Sequence, residues 1–70
     1  MNIFQKIAFQ RLSDYGFSVA TFPHGFDVAV PHEKIVDMDL HTIKEILWAS
    51  NCEYYNIRNI EANTVRVTLK

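Results

Sequence analysis

From Thr64 to Lys70 the chain alternates without a break. Val65, Val67 and Leu69 fall on one side of an extended backbone, and Arg66, Thr68 and Lys70 fall on the other. Side chains of a strand alternate between faces, so this run suits a sheet with one face buried and one open. Phe26, Val28 and Val30 repeat the pattern against Asp27 and Ala29. A sheet with one apolar face needs a covering layer.

Two helical segments supply it. Over residues 2 to 15, Phe4, Ile7, Ala8, Leu12 and Tyr15 make one stripe, Asn2 and Gln5 have the spacing of a capping box, and Gly16 is a natural stop. In the second segment Asp39 reads as the N-cap, Leu40, Ile43, Ile46, Leu47 and Ser50 form the stripe, and Asn51 ends it. Residues 17 to 22 and 26 to 31 read as a hairpin turning at Pro23-His24-Gly25. Residues 54 to 61 and 64 to 70 read as a second hairpin turning at Ala62-Asn63. Tyr55 and Ile57 share a face, whereas Ile60 is out of phase, so a bulge is expected near Asn59. His32 to Met38 fits either a loop or a short helical turn.

The order α-β-β-α-β-β predicts an α+β fold: a four-stranded antiparallel sheet with both helices on one face. The two helix-hairpin units show no sequence repeat. Moving the last strand to the front produces β-α-β-β-α-β, so a circularly permuted ferredoxin-like arrangement is a candidate. At 70 residues the chain is expected to form one domain, with little stability to spare.

Charge and residue usage exclude several functions. The net charge of −1 is neither the basic excess of a dedicated nucleic-acid binder nor the acidic excess of a DNA mimic. Two glycines and no GxxxxGK[ST] or GxGxxG run leave no phosphate-cradling loop. Cys52 is the single cysteine and follows a helix C-terminus, where the dipole disfavours a thiolate; a buried structural role is expected. His24, His32 and His41 stand in three different segments, too few and too scattered for a zinc site. Glu33 and Asp37 read as carboxylates that solvate a loop. No metal, no cofactor and no catalytic residue are expected, and the sequence points away from an enzyme. The N-terminal segment is broken by Gln5, Lys6, Gln10 and Arg11, unlike a signal peptide, and no apolar run approaches membrane-spanning length. A cytoplasmic location without membrane association is the expectation.

Two surfaces could recognise a partner. On a helical projection Trp48 lies away from the Leu40, Ile43 and Leu47 stripe, beside His41, Lys44 and Glu45. An exposed tryptophan suits an interface anchor; it also suits a ring folded over the helix edge to seal the rim. The open sheet face should carry Ser18, Ala20, Phe22, Tyr54, Asn56, Arg58, Arg66 and Lys70. Of these, Phe22, Tyr54, Arg58, Arg66 and Lys70 would stack on and neutralise a nucleic acid.

Tyr15-Gly16-Phe17, His24, Val30-Pro31-His32 and Leu40-His41-Thr42-Ile43-Lys44-Glu45-Ile46-Leu47 resemble the HicA-type toxins over roughly residues 9 to 50. These are small mRNA interferases with a double-stranded-RNA-binding-like fold. The resemblance implies His24 as the catalytic or RNA-contacting residue. Pro23-His24-Gly25 stands in place of the family's Gly-Ser-His element, the family's middle strand has no counterpart, and the hairpin from Tyr54 to Lys70 is additional.

The leading expectation is a non-catalytic protein-binding module, an inhibitor or adaptor of the kind encoded by phages and mobile elements. It would bind through Trp48, His41, Lys44 and Glu45. An RNA- or DNA-binding module, including a degenerate HicA-like interferase, is the alternative. A homodimer with a self-complementary apolar surface is the third.

Overall fold

The computed structural model describes all 70 residues. Its elements are α1 (Ile3–Tyr15), β1 (Ser18–Phe22), β2 (Gly25–Ala29), α2 (Asp37–Ala49), β3 (Tyr54–Glu61) and β4 (Thr64–Leu69). The expected α+β class and element order are those observed.

The first helix begins as its sequence requires. Gln5 donates its backbone N–H to Asn2 Oδ1 at 2.9 Å, and Asn2 returns its own N–H to Gln5 Oε1 at 3.0 Å. Both orphan donors of the first turn are satisfied reciprocally. Gly16 ends the helix at φ 120°, where a side chain would be strained. Phe17 then donates back to Leu12 O, and Gly16 to Ser13 O. The second helix ends alike: Asn51 takes φ 54°, Cys52 donates to Leu47 O and Asn51 to Trp48 O. Both ends have the Schellman pattern, with buried Phe17 and Cys52 just beyond.

The start of α2 corrects one expectation. The helix begins at Asp37, so Val36 is the N-cap and Asp39 stands in the third helical position. Valine has no side-chain acceptor. Asp39 instead reaches back, taking the Val36 N–H on Oδ2 at 2.9 Å, and the same oxygen meets His32 Nε2 at 2.9 Å. The connection before the helix is a loop pinned to the β3–β4 turn: Val30 donates to Asn63 O and Ile35 to Ala62 O.

All four strands pair antiparallel in the order β1-β2-β4-β3. The first hairpin turns through two residues, Pro23 and His24, because Gly25 already pairs with Phe22; the three-residue turn is corrected. Joining β4 to α1 and β1, and β2 to α2 and β3, makes two β-α-β units. Each unit's strands are separated by one strand of the other, which is the split arrangement of the ferredoxin-like fold. The junction that permutation would cut is closed in space, since Gln5 Nε2 donates to Lys70 O at 3.3 Å.

The core lies between the helices and one sheet face. Ala8 and Leu12 of α1 and Ile43 and Leu47 of α2 pack with Phe26, Val28, Val65 and Val67, all fully buried. Each large apolar side chain so buried contributes about 1.5–3 kcal/mol. The α1 stripe is rotated from the expected one. Phe4 and Tyr15 are exposed, while Phe9 turns inward with its ring centroid 6.2 Å from that of Phe26.

β3 is irregular twice, between Tyr54 and Asn56 and between Asn59 and Glu61. The second is the expected bulge. The first was not expected, and it corrects the placement of Tyr54. With Tyr55 inserted, Tyr54 pairs with Leu69 and packs against the core, while Asn56 and Arg58 occupy the open face. No helix is long and apolar enough to cross a membrane.

Candidate protein-binding site

Because Ile43, Leu47 and Ser50 turn inward, the outer face of α2 presents Met38, His41, Lys44, Glu45 and Trp48. Trp48 is 82% exposed, the most exposed large hydrophobic residue of the chain. Two aromatic pairs exist, Phe9 with Phe26 and Tyr15 with Phe17, and Trp48 joins neither. A ring left this open gains little from folding.

The four residues expected to act together do so only in part. His41 Nε2 lies 3.3 Å from Glu45 Oε1, an exposed pair one helical turn apart. Such pairs contribute only a few tenths of a kcal/mol. Lys44 makes no ion pair. Lys44 and Trp48 form one wall of a groove of about 350 Å3 whose other side is Asn51, Cys52, Glu53, Tyr54 and Lys70. Glu45 belongs to a different groove, between the helices, with Arg11, Tyr15, Thr42, Ile46 and Ala49.

None of the five residues opposite Lys44 and Trp48 was expected beside them, and Tyr54 and Lys70 were expected on the open sheet face instead. Tyr54 arrives in the groove because the Tyr55 insertion turns it to the helix side. Glu53 and Lys70 close the far end, with Lys70 Nζ 3.7 Å from Glu53 Oε2 and 5.7 Å from the Tyr55 ring centroid. Cys52 is buried at the floor, and burial pushes its thiol pKa up, away from nucleophilic chemistry. The helix end beneath Trp48 is braced from α1. Arg11 Nη1 donates to Ala49 O at 3.0 Å and to Ser50 Oγ at 3.3 Å, and Ser50 Oγ donates to Ile46 O at 2.7 Å. An apolar ring, a phenol edge and the free ammonium of Lys44 thus surround one depression. That chemistry suits an apolar side chain of a partner followed by a carboxylate.

The open sheet face is differently composed. Across the strands, Ala20, Asp27, Arg66 and Arg58 form one row, and Phe22, Gly25, Thr68 and Asn56 the next. Arg66 is held by Asp27 through two parallel bonds, Nε to Oδ1 at 2.8 Å and Nη2 to Oδ2 at 3.0 Å. Its guanidinium also lies 4.9 Å from the Phe22 ring centroid. The pair lowers the Asp27 pKa and raises that of Arg66. Gly25 is required here, since a Cβ would collide with the Val67 carbonyl and the Phe22 ring. Of the five residues expected to meet a nucleic acid, Phe22, Arg58 and Arg66 share this face. Tyr54 is on the other face, and Lys70 is engaged at the end of β4.

The histidines stay apart. His24 is exposed in the β1–β2 turn, where its carbonyl accepts from Leu69 N–H at 2.7 Å; His32 meets Asp39 and His41 meets Glu45. No group of three or more His, Cys, Asp or Glu side chains converges. Compared with protein-family models, with curated proteins and with solved structures, the chain matches none.

Proposed function

We propose that the protein is a small cytoplasmic binding module, an inhibitor or adaptor, that holds another protein through the outer face of α2 and the groove beside Trp48. The carrying observation is the exposure of Trp48, 82%, on a helix end braced by Arg11. A large rigid ring on a fixed element loses little conformational entropy on binding, which is why tryptophan is enriched among interface anchors. Lys44 supplies a cation with no partner of its own, and His41 and Glu45 form a polar rim. Affinity capture from the native host with the wild-type chain and with Trp48→Ala, each with and without nuclease, tests the reading. It expects a protein retained by the wild type, insensitive to nuclease and lost with Trp48→Ala.

Phe22, Arg66 and Arg58 side by side favour a second reading, an RNA-binding sheet. In it, Arg58 and the free edge of Arg66 would meet phosphates, while His24, which lines a small groove with Thr21, Phe22 and Lys70, would contact the RNA as the HicA resemblance implies. The Asp27–Arg66 pair weighs against it, because a guanidinium already held by a carboxylate releases few counterions. Under this reading affinity falls steeply with salt and is lost with Arg66→Ala.

A further inference from the structure

The two edges of the sheet are treated differently. β3 carries the protections natural edges use: two irregularities, plus the charges of Arg58 and Glu61. β1 carries none. Ser18-Val19-Ala20-Thr21-Phe22 has no charge, no proline and no bulge, and every residue pairs in register with β2. No element lies beyond it.

The free hydrogen-bonding groups on this edge follow from the register. Leu69 N–H bonds to His24 O, so His24, Phe26 and Val28 turn their backbone groups toward β4. Gly25, Asp27 and Ala29 then turn theirs toward β1, where they meet Phe22, Ala20 and Ser18. The N–H and C=O groups of Val19 and Thr21 are left pointing outward. Beside them is an apolar flank. On α1, Phe9 is about 100° around from Ala8, on the side opposite Arg11. Arg11 reaches α2, so Phe9 overhangs β1, and both Phe9 and Val19 are only half-buried.

We propose that the β1 edge pairs with the β1 edge of a second copy of this chain, making a continuous eight-stranded sheet around a two-fold axis at Ala20. With Ala20 opposite its own copy, Val19 faces Thr21 of the other subunit and each such pair exchanges two hydrogen bonds, so all four outward groups of each strand are satisfied. The close approach of non-hydrogen-bonded pairs, about 4.5 Å between Cα atoms, falls on alanine against alanine at the axis and on Phe22 against Ser18 to either side. Phe22 then lies opposite Ser18, large against small. Two identical uncharged strands meet without like-charge repulsion, so the self-complementary register with a second copy carries no charge penalty at this edge. The surface involves neither α2 nor Trp48, so it stands independently of the binding reading.

Sedimentation velocity from about 1 µM to 1 mM covers the affinities such a small interface supports. The wild type should dimerise with rising concentration. Ala20→Lys and Ala20→Glu should each raise the dissociation constant more than tenfold. Ala20→Lys should keep its melting temperature when dilute, because Ala20 is exposed in the monomer and faces Asp27; Ala20→Glu, set against that carboxylate, should melt lower but still fold. A mixture of the two should form the heterodimer. Amide exchange at Val19 and Thr21 of the wild type should slow as concentration rises, a readout that needs no substitution. A wild type that stays monomeric throughout, a dimer that survives both charges, a mixture that stays monomeric, or unchanged exchange at Val19 and Thr21 would each overturn the proposal.

Discussion

Asp27 and Arg66 face each other across the two central strands, and the open face takes its character from their bond. Each nitrogen of the fork meets one carboxylate oxygen, at 2.8 and 3.0 Å. The bond to Arg66 holds the Asp27 carboxyl below its ordinary value of 3.8. A carboxyl whose folded pKa is depressed stabilises the fold fully above its unfolded value and loses that contribution as the pH falls through the folded one. Asp39 behaves alike, lowered first by the Val36 N–H and then by His32. Denaturant melts at pH 7 should therefore show Asp27→Asn less stable than the wild type. The gap should narrow once the pH is taken well below 3.8. A gap of the same size at both pH values would mean that the Asp27 charge does not matter and that only its shape does.

At the scale of the element, α2 has a strong end and a weak start. Its C-terminus is held by Asn51, Ser50 and Arg11. The side chain of its N-cap, Val36, accepts nothing, although the Val36 carbonyl takes the Asp39 and Leu40 N–H groups and its backbone is extended as a cap requires. Val36→Ser would complete a capping box with Asp39, and Val36 is 52% exposed, so little apolar burial is lost. The substitution should raise stability by about 1 kcal/mol, read as a higher denaturant midpoint with an unchanged slope. The α2 stripe was legible because its apolar residues keep helical spacing throughout, and the outward position of Trp48 followed from it. The cap was not legible: an aspartate at a helix start serves either as the cap, taking N–H groups of the first turn, or in the third position, reaching back to the cap's own N–H, and Asp39 does the latter. Tyr54 was misplaced for a related reason. A period of two holds only while no residue is inserted, and neither Tyr54 nor Tyr55 has a side chain that marks which is the extra one. Arg11 is a long side chain on an exposed helix face, and nothing local tells that it reaches Ser50.

At the scale of the molecule, the α+β class and the element order were readable, because six alternating segments with one-sided patterns leave few ways to bury every stripe; the strand order β1-β2-β4-β3 was not, and the permuted ferredoxin-like arrangement was only a candidate until the pairing decided it. The contact between Gln5 and Lys70 gives that topology a direct consequence. A permutant that links Lys70 to Met1 and opens the Ala62-Asn63 turn should fold with the circular dichroism of the parent. Failure to fold would show that the β3–β4 turn, which pins the loop before α2 through Ala62 and Asn63, cannot be broken. The proposed binding function rests on a different feature of the whole: the only tryptophan stands outside the core. Unfolding of wild type and Trp48→Ala, paired with titration of both against the captured partner, tests this most directly. The unfolding free energies should lie within about 1 kcal/mol of each other, with binding weakened by about 2 kcal/mol or more. A stability loss of about 3–5 kcal/mol, the range of a truncated core aromatic, or an unchanged affinity would contradict it.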